Sequence, residues 1–186
     1  MANLYVALVH HPVIDKHGTV VTTSVTIIDV HDIARSCRTY GVKGFYVVTP
    51  VDALRGLVRR VLRHWDEGFG STYNPNRSEA LSLVRLQRDI EGVIIDIEAL
   101  EGRLPRIVAT SAREGDDRVS YEAFRSELAV SPNPWLLLLG TGWGLTEDVL
   151  RSAERRLEPV RGVSSYNHLS VRAAAAVILD RITGSG

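Results

Sequence analysis

Five consecutive residues, Trp135-Leu-Leu-Leu-Leu139, are apolar at every position. A strand with one wet face alternates apolar with polar residues. A strand apolar on both faces has to be covered on both, as in a parallel sheet held between two layers of helices. Other short runs read the same way: Leu4 to Val9, Gly44 to Val48, Leu83 to Leu86 and Arg106 to Thr110. Between them lie segments of helical period. One runs through Ile33, Ala34, Cys37 and Tyr40, with Asp29 as its expected cap and Gly41 as its stop. A second follows Thr49-Pro50, read as capping hydroxyl and first-turn proline, and ends near Trp65. Asn76-Arg-Ser-Glu79 reads as a capping box opening a short helix. Later helices are expected through Ile90, Ile94, Ile97 and Leu100, over Tyr121 to Leu128, over Thr146 to Leu157, and over Ser170 to Ile182. Pro159-Val160 reads as a last strand, and His10 to Val25 as a long irregular loop.

This alternation predicts an α/β fold: a mostly parallel sheet with helices on both faces. With 186 residues and neither linker nor repeat, residues 1–186 are expected to form a single domain. No apolar stretch approaches the roughly 20 residues of a membrane span, and no basic segment precedes the first apolar residues. The lone cysteine, Cys37, precludes an internal disulfide and suits a reducing compartment, so a cytoplasmic location is expected.

The 22 basic and 22 acidic residues cancel, which taken as a sum argues against a polyanionic partner. Their distribution argues the other way. Between Ile33 and Arg63 stand Arg35, Arg38, Lys43, Arg55, Arg59, Arg60 and Arg63 against Asp52 alone, a local charge of +6. Between Gln87 and Glu101 the balance reverses, and it is the local field that steers a polyanion.

In open α/β sheets ligands bind beyond the carboxyl ends of the strands. Three loops there carry polar and glycine residues: Thr110-Ser-Ala-Arg-Glu-Gly115, Gly140-Thr-Gly-Trp-Gly-Leu145 and Ser164-Ser-Tyr-Asn-His-Leu-Ser170. The second is neither a P-loop nor a dinucleotide fingerprint, since it lacks both spacings. The four histidines at 10, 11, 17 and 31 match no metal-ligand spacing, so no metal is expected and they read as packed or surface residues. The segment Gly68 to Arg77, with Phe69 and Tyr73, combines aromatics with positive charge and could stack an unpaired base.

Taken together, these segments resemble the SPOUT class of S-adenosylmethionine-dependent RNA methyltransferases. Ile33-Ala-Arg-Ser-Cys-Arg-Thr-Tyr-Gly-Val42 is similar to the first motif, in which an arginine near the helix start is functional. Gly140 to Leu145 resembles the glycine-rich second motif. Ser165-Tyr-Asn-His-Leu-Ser-Val171, entering an alanine-rich helix, resembles the third. The resemblance spans nearly the whole chain and is nearest to small stand-alone bacterial members without an added RNA-binding domain. It implies a C-terminal trefoil knot, a homodimer with the cofactor pocket near the subunit interface, S-adenosylmethionine as cofactor, and tRNA or rRNA as substrate.

Carried residue by residue, the resemblance puts the adenine against backbone near Leu139, Gly140, Leu145 and Leu169. Further cofactor contacts are implied at Thr110, Ser111, Thr141, Gly142 and Gly144, and at Ser165, Asn167 and Ser170. Arg35 is the implied catalytic arginine, with Arg38 one turn further on the same side. The sequence departs from ribose-methylating members in three places. Asp29 stands where they carry asparagine; the second motif lacks a glutamate and is one residue shorter; the third is one residue longer, with His168-Leu169 between Asn167 and Ser170. Base and ribose methylation therefore both stay open, and the alternative function is a non-catalytic cofactor- or RNA-binding dimeric module.

Overall fold

Seven parallel strands stand side by side in the order β5-β4-β1-β8-β6-β9-β7 in a computed structural model of the chain. It describes residues 3–67, 73–115, 117–164 and 166–184. The sheet is built from β1 (Leu4–Val9), β4 (Gly44–Val48), β5 (Val84–Gln87), β6 (Arg106–Ala109), β7 (Arg118–Val119), β8 (Trp135–Gly140) and β9 (Arg155–Leu157). The all-apolar run is β8, paired with β1 on one side and β6 on the other. Both of its faces are covered, as its composition requires.

One face packs on α1 (Ile27–Thr39), α2 (Asp52–Asp66), α3 (Pro75–Leu81), α5 (Tyr121–Val130) and α7 (Val171–Thr183). Val30, Ile33, Ala34 and Cys37 of α1, and Ala175, Ile178, Leu179 and Ile182 of α7, repeat at i, i+3, i+4 and i+7, so each helix presents one apolar stripe to the strands. The other face is covered by α4 (Ile90–Glu101) and α6 (Glu147–Ser152) through Val93, Ile97 and Leu150. Strand residues alternate between the two cores: Leu4, Val6 and Leu8 face one, Tyr5, Ala7 and Val9 the other.

Local chemistry shifted several boundaries. His10 to Val25 contains a hairpin, β2 (Val13–Ile14) with β3 (Val20–Val21), closed where the Asp15 carboxylate accepts from His17 and Thr19 amides. Helix α1 starts at Ile27 with Thr26 at its N-cap position, and Asp29 sits in its first turn instead of capping it. The Asp29 carboxylate is drawn aside by the Thr26 hydroxyl and by Arg172 Nη1 of α7 at 3.0 Å. Thr49 still belongs to the sheet edge, its amide donating to Gln87 O at 3.1 Å, so α2 starts at Asp52. The cap of α3 is Asn74, whose side chain accepts from the Arg77 amide at 3.1 Å, with Pro75 in the first turn. Glu79 pairs with Arg38 and closes no capping box.

The helix expected over Thr146 to Leu157 stops at Ser152. Arg155–Leu157 turns into β9 instead, covering the edge of β6, and Pro159-Val160 follows as extended chain outside any strand. The two-residue β7 closes that side of the sheet; so short a strand carries no periodic signal. No helix among the described residues is long and apolar enough to cross a membrane.

Candidate active site

The three loops come together in one cleft of about 760 Å³ beyond the carboxyl ends of β1, β8 and β6. That size lies within the roughly 300–1,000 Å³ of small-molecule sites. The end of β6 supplies Thr110, Ser111, Ala112 and Arg113; the turn after β8 supplies Gly140, Thr141, Gly142, Trp143 and Gly144. The approach to α7 supplies Asn167, His168, Leu169 and Ser170. Hydrogen bonds tie the loops to each other. Asn167 Nδ2 donates to Ala112 O at 3.0 Å, and Arg113 Nη2 to Trp143 O at 3.4 Å. Thr110 Oγ1 donates to Leu138 O at 2.9 Å, and Ser170 caps α7 through the Ala173 amide.

The turn after β8 is tight enough to require glycine at two places. A Cβ on Gly140 would lie 2.7 Å from Leu145 N, inside contact distance of backbone. Gly142 holds φ +60, where a side chain is strained, and its Cβ would meet Ile14 O at 3.2 Å. The β2–β3 hairpin is the wall that makes the turn tight. Trp143 N donates to Ile14 O at 3.0 Å, Ile14 N to Gly144 O at 2.9 Å, and Val13 bridges to Leu145. The segment without periodicity is thus part of the cleft.

Of the residues implied for the cofactor, Thr110, Ser111, Leu139, Gly140, Thr141, Gly142, Gly144, Asn167, Leu169 and Ser170 line the cleft. Leu145 is buried behind the turn, and Ser165 lies outside the described residues, as does Phe69. Arg35 and Arg38 are on exposed positions of α1 and do not line the cleft. Arg38 pairs with Glu79. Among the described residues there is no group of His, Cys, Asp and Glu arranged to hold a metal ion.

Residue-level reading of the sequence missed His10, Thr23 and Ser24, which line the β1 end of the cleft beside Asp29. His10 is 1% exposed. Thr141 Oγ1 donates to Val9 O at 2.9 Å, which spends its only proton. Thr23 Oγ1, 2.5 Å away, must then donate to Thr141, and so accepts from His10 Nδ1–H at 2.9 Å. This chain of donors fixes the tautomer and leaves the buried Nε2 of His10 with a bare lone pair and no partner among the described residues.

Burial pushes the His10 imidazole down to about 4, against the opposing pull of Asp29. The unfolded chain therefore takes up a proton that the folded chain refuses. Its contribution is complete above the unfolded value near 6.5 and is lost as the pH falls toward 4, about 3 kcal/mol in all. Asparagine at this position keeps a donor for Thr23 and removes the titrating group. Urea denaturation at pH 7 and pH 4.5 is expected to show a steeper loss in the wild type than in His10→Asn; parallel losses would show that His10 is not the linked group.

A family model described as SAM-dependent RNA methyltransferase matches residues 3–184. The chain belongs to this family. An uncharacterized protein of Aquifex aeolicus (strain VF5) is 42% identical over 180 residues, covering 97% of this chain and 88% of that protein. A tRNA (guanine-N(1)-)-methyltransferase of Oleidesulfovibrio alaskensis is 46% identical over 182 residues, 98% of this chain. The chain spans 42% of the length of that relative. The solved TrmH/SpoU tRNA modifying enzyme of A. aeolicus superposes with a TM-score of 0.55 at 15% identity, over 98% of this chain and 75% of that one, a likeness of fold. The parallel sheet with helices on both faces is thus a SPOUT-type arrangement, and the cofactor of the family is S-adenosylmethionine.

Proposed function

We propose that residues 1–186 form one methyltransferase domain that modifies tRNA from S-adenosylmethionine held in the cleft. The observation that carries this reading is the convergence of three separate loops, after β6, after β8 and before α7, on one cavity at the carboxyl edge of the sheet. The cofactor suits the residues present. The turn folds back on Gly140 too closely for any Cβ, and backbone and small hydroxyls line the cleft beside it. When bound, S-adenosylmethionine supplies a methyl group activated on a sulfonium.

The chain's own residues then have separable tasks. Gly140 to Gly144 admit the adenine against backbone, and Leu139 and Leu169 flank it. Thr110, Ser111, Asn167 and Ser170 orient the polar groups, with Ser165 completing the third loop. The cleft spans three neighbouring strands, so its β1 end, with His10, Thr23 and Asp29, is left for the nucleotide to be methylated. Positioning the acceptor against the methyl is the main demand of an in-line displacement.

Support for tRNA as substrate is the name of the relative that this chain matches at 46% identity. The guanine-N(1) position named for that protein is not carried over, because more than half of it lies outside the match. The trefoil knot, a homodimer and a cytoplasmic location complete the reading, supported by the family resemblance. Calorimetry on the purified protein tests the cofactor assignment. S-adenosylmethionine is expected to bind and S-adenosylhomocysteine to compete; absence of heat with either would overturn it.

A further inference from the structure

The +6 segment is smaller in space than in sequence. Lys43 is paired with Glu101, Arg38 with Glu79, and Arg55 is buried against Asp52 and the Thr49 carbonyl. Arg35, Arg59, Arg60 and Arg63 make no ion pair among the described residues, and all four are exposed.

Arg35 stands one helical turn from His31 on the same face of α1. The His31 ring meets Trp65 of α2 edge-on at 5.8 Å, and His64 meets the same indole at 5.5 Å. Arg77 of α3 lies over that indole, 4.9 Å from its centroid, and makes no side-chain ion pair among the described residues. Arg77 thus lies over the Trp65 indole, and Arg35 stands a turn beyond the His31 ring that packs on it, neither guanidinium ion-paired among the described residues. Burial, then Arg77 and Arg35, hold the His31 imidazole below its usual value against the opposing pull of Asp32. Asp32 itself leans toward Arg172, 3.6 Å away. Arg77 and Arg35 both act on His31 as like charges, Asp32 offsets them only in part, and an anion would relieve the remaining repulsion. A stacked, fork-shaped guanidinium suits a phosphate better than a lone ammonium would.

We propose that the outer face of α1, α2 and α3 is the docking surface for the RNA backbone, with Arg35 and Arg77 sharing one phosphate beside Trp65. Arg59, Arg60 and Arg63 extend the surface along α2. The proposal rests on the methyltransferase reading above and adds where the substrate lies. Arg35 is six residues beyond Asp29, about 9 Å along α1 at 1.5 Å per residue, and Asp29 lines the cleft. The bound phosphate therefore belongs to chain flanking the nucleotide in the cleft, and Arg35 acts on the RNA rather than on the cofactor.

The test is binding of unfractionated tRNA across a salt series, with S-adenosylmethionine calorimetry on every protein. Arg35→Gln, at an exposed position that makes no ion pair among the described residues, does not threaten the fold; Arg35→Gln with Arg77→Gln removes the whole subsite. The double variant is expected to bind tRNA about tenfold more weakly at 0.15 M salt, with the salt slope reduced by about 1. Cofactor affinity should stay within twofold of wild type. Arg59→Gln, Arg60→Gln and Arg63→Gln together should lower the slope further. Wild-type tRNA affinity and slope in the double variant would overturn the docking surface while leaving the methyltransferase reading in place. A wild type that binds no S-adenosylmethionine would overturn that reading instead.

Discussion

Gly140→Ala is expected to cost this protein its cofactor site while leaving the sheet folded. The added methyl would sit 2.7 Å from Leu145 N and 3.1 Å from Gly144 C, both backbone atoms that cannot rotate away. Gly140 is the last residue of β8 and is held in register with Val9, so the displacement falls on the turn and not on the strand. A shift of about 1 Å in groups that align a reaction can cost about 10²-fold. Methyl transfer should fall by about that factor or more, and S-adenosylmethionine affinity by at least about tenfold. Gly142→Ala is expected to be milder, because one of its close neighbours at 3.2 Å is a methyl group of Thr23. Gly56→Ala, in the open middle of α2 with nothing within 4 Å, is the control and should leave binding unchanged. Calorimetry on the three variants decides the matter. Undiminished binding by Gly140→Ala would mean that the turn does not contact the cofactor.

The largest effect on stability is expected at Trp135. Its indole is fully buried, meets Phe124 edge-on at 5.0 Å, and carries the Arg106 guanidinium 4.1 Å from its centroid. It opens the central strand β8, between Leu4 of β1 and Arg106 of β6. Trp135→Ala leaves a cavity that these rigid neighbours cannot refill, at a cost of about 3–5 kcal/mol. That is a large share of the roughly 5–15 kcal/mol typical of a domain. Trp135→Phe should cost less than half as much. It keeps an aromatic ring against Phe124 and removes an indole N–H that has no hydrogen-bond partner among the described residues. Urea denaturation measures both, and a loss under about 1 kcal/mol for the alanine variant would contradict this packing account.

The parts of the fold that were legible are those where burial writes a pattern into the sequence. β8 was readable because two covered faces demand apolar residues throughout, and α1 and α7 because one covered stripe demands a period near four. What escaped was decided by partners distant in the chain. Arg172, 143 residues from Asp29, draws that carboxylate away from a capping role. The edge of β6 turns Arg155–Leu157 from expected helix into strand. The hairpin at Val13 to Val21 left a trace, the Asp15 to Gly18 turn between two apolar pairs, but strands of two residues are too short for period to reveal. The site followed the same division. Loops with glycine and small polar residues after apolar runs could be found. His10 could not, since its place in the cleft depends on the Thr23 hydroxyl 13 positions away and on Thr141, a further 118 positions along the chain. The charged stretch from Ile33 to Arg63 was visible as a sum, but which of its arginines stay unneutralised depends on Glu79, Glu101 and Asp52 in space.

The most direct test of the central claim is transfer of tritiated methyl from S-adenosylmethionine to total RNA taken from cells lacking this gene, followed by fractionation and nucleoside analysis. The expected result is label in tRNA, confined to one methylated nucleoside whose identity gives base or ribose, and lost in the Gly140→Ala protein. A wild-type protein that binds S-adenosylmethionine yet leaves tRNA and rRNA unlabelled would contradict the account.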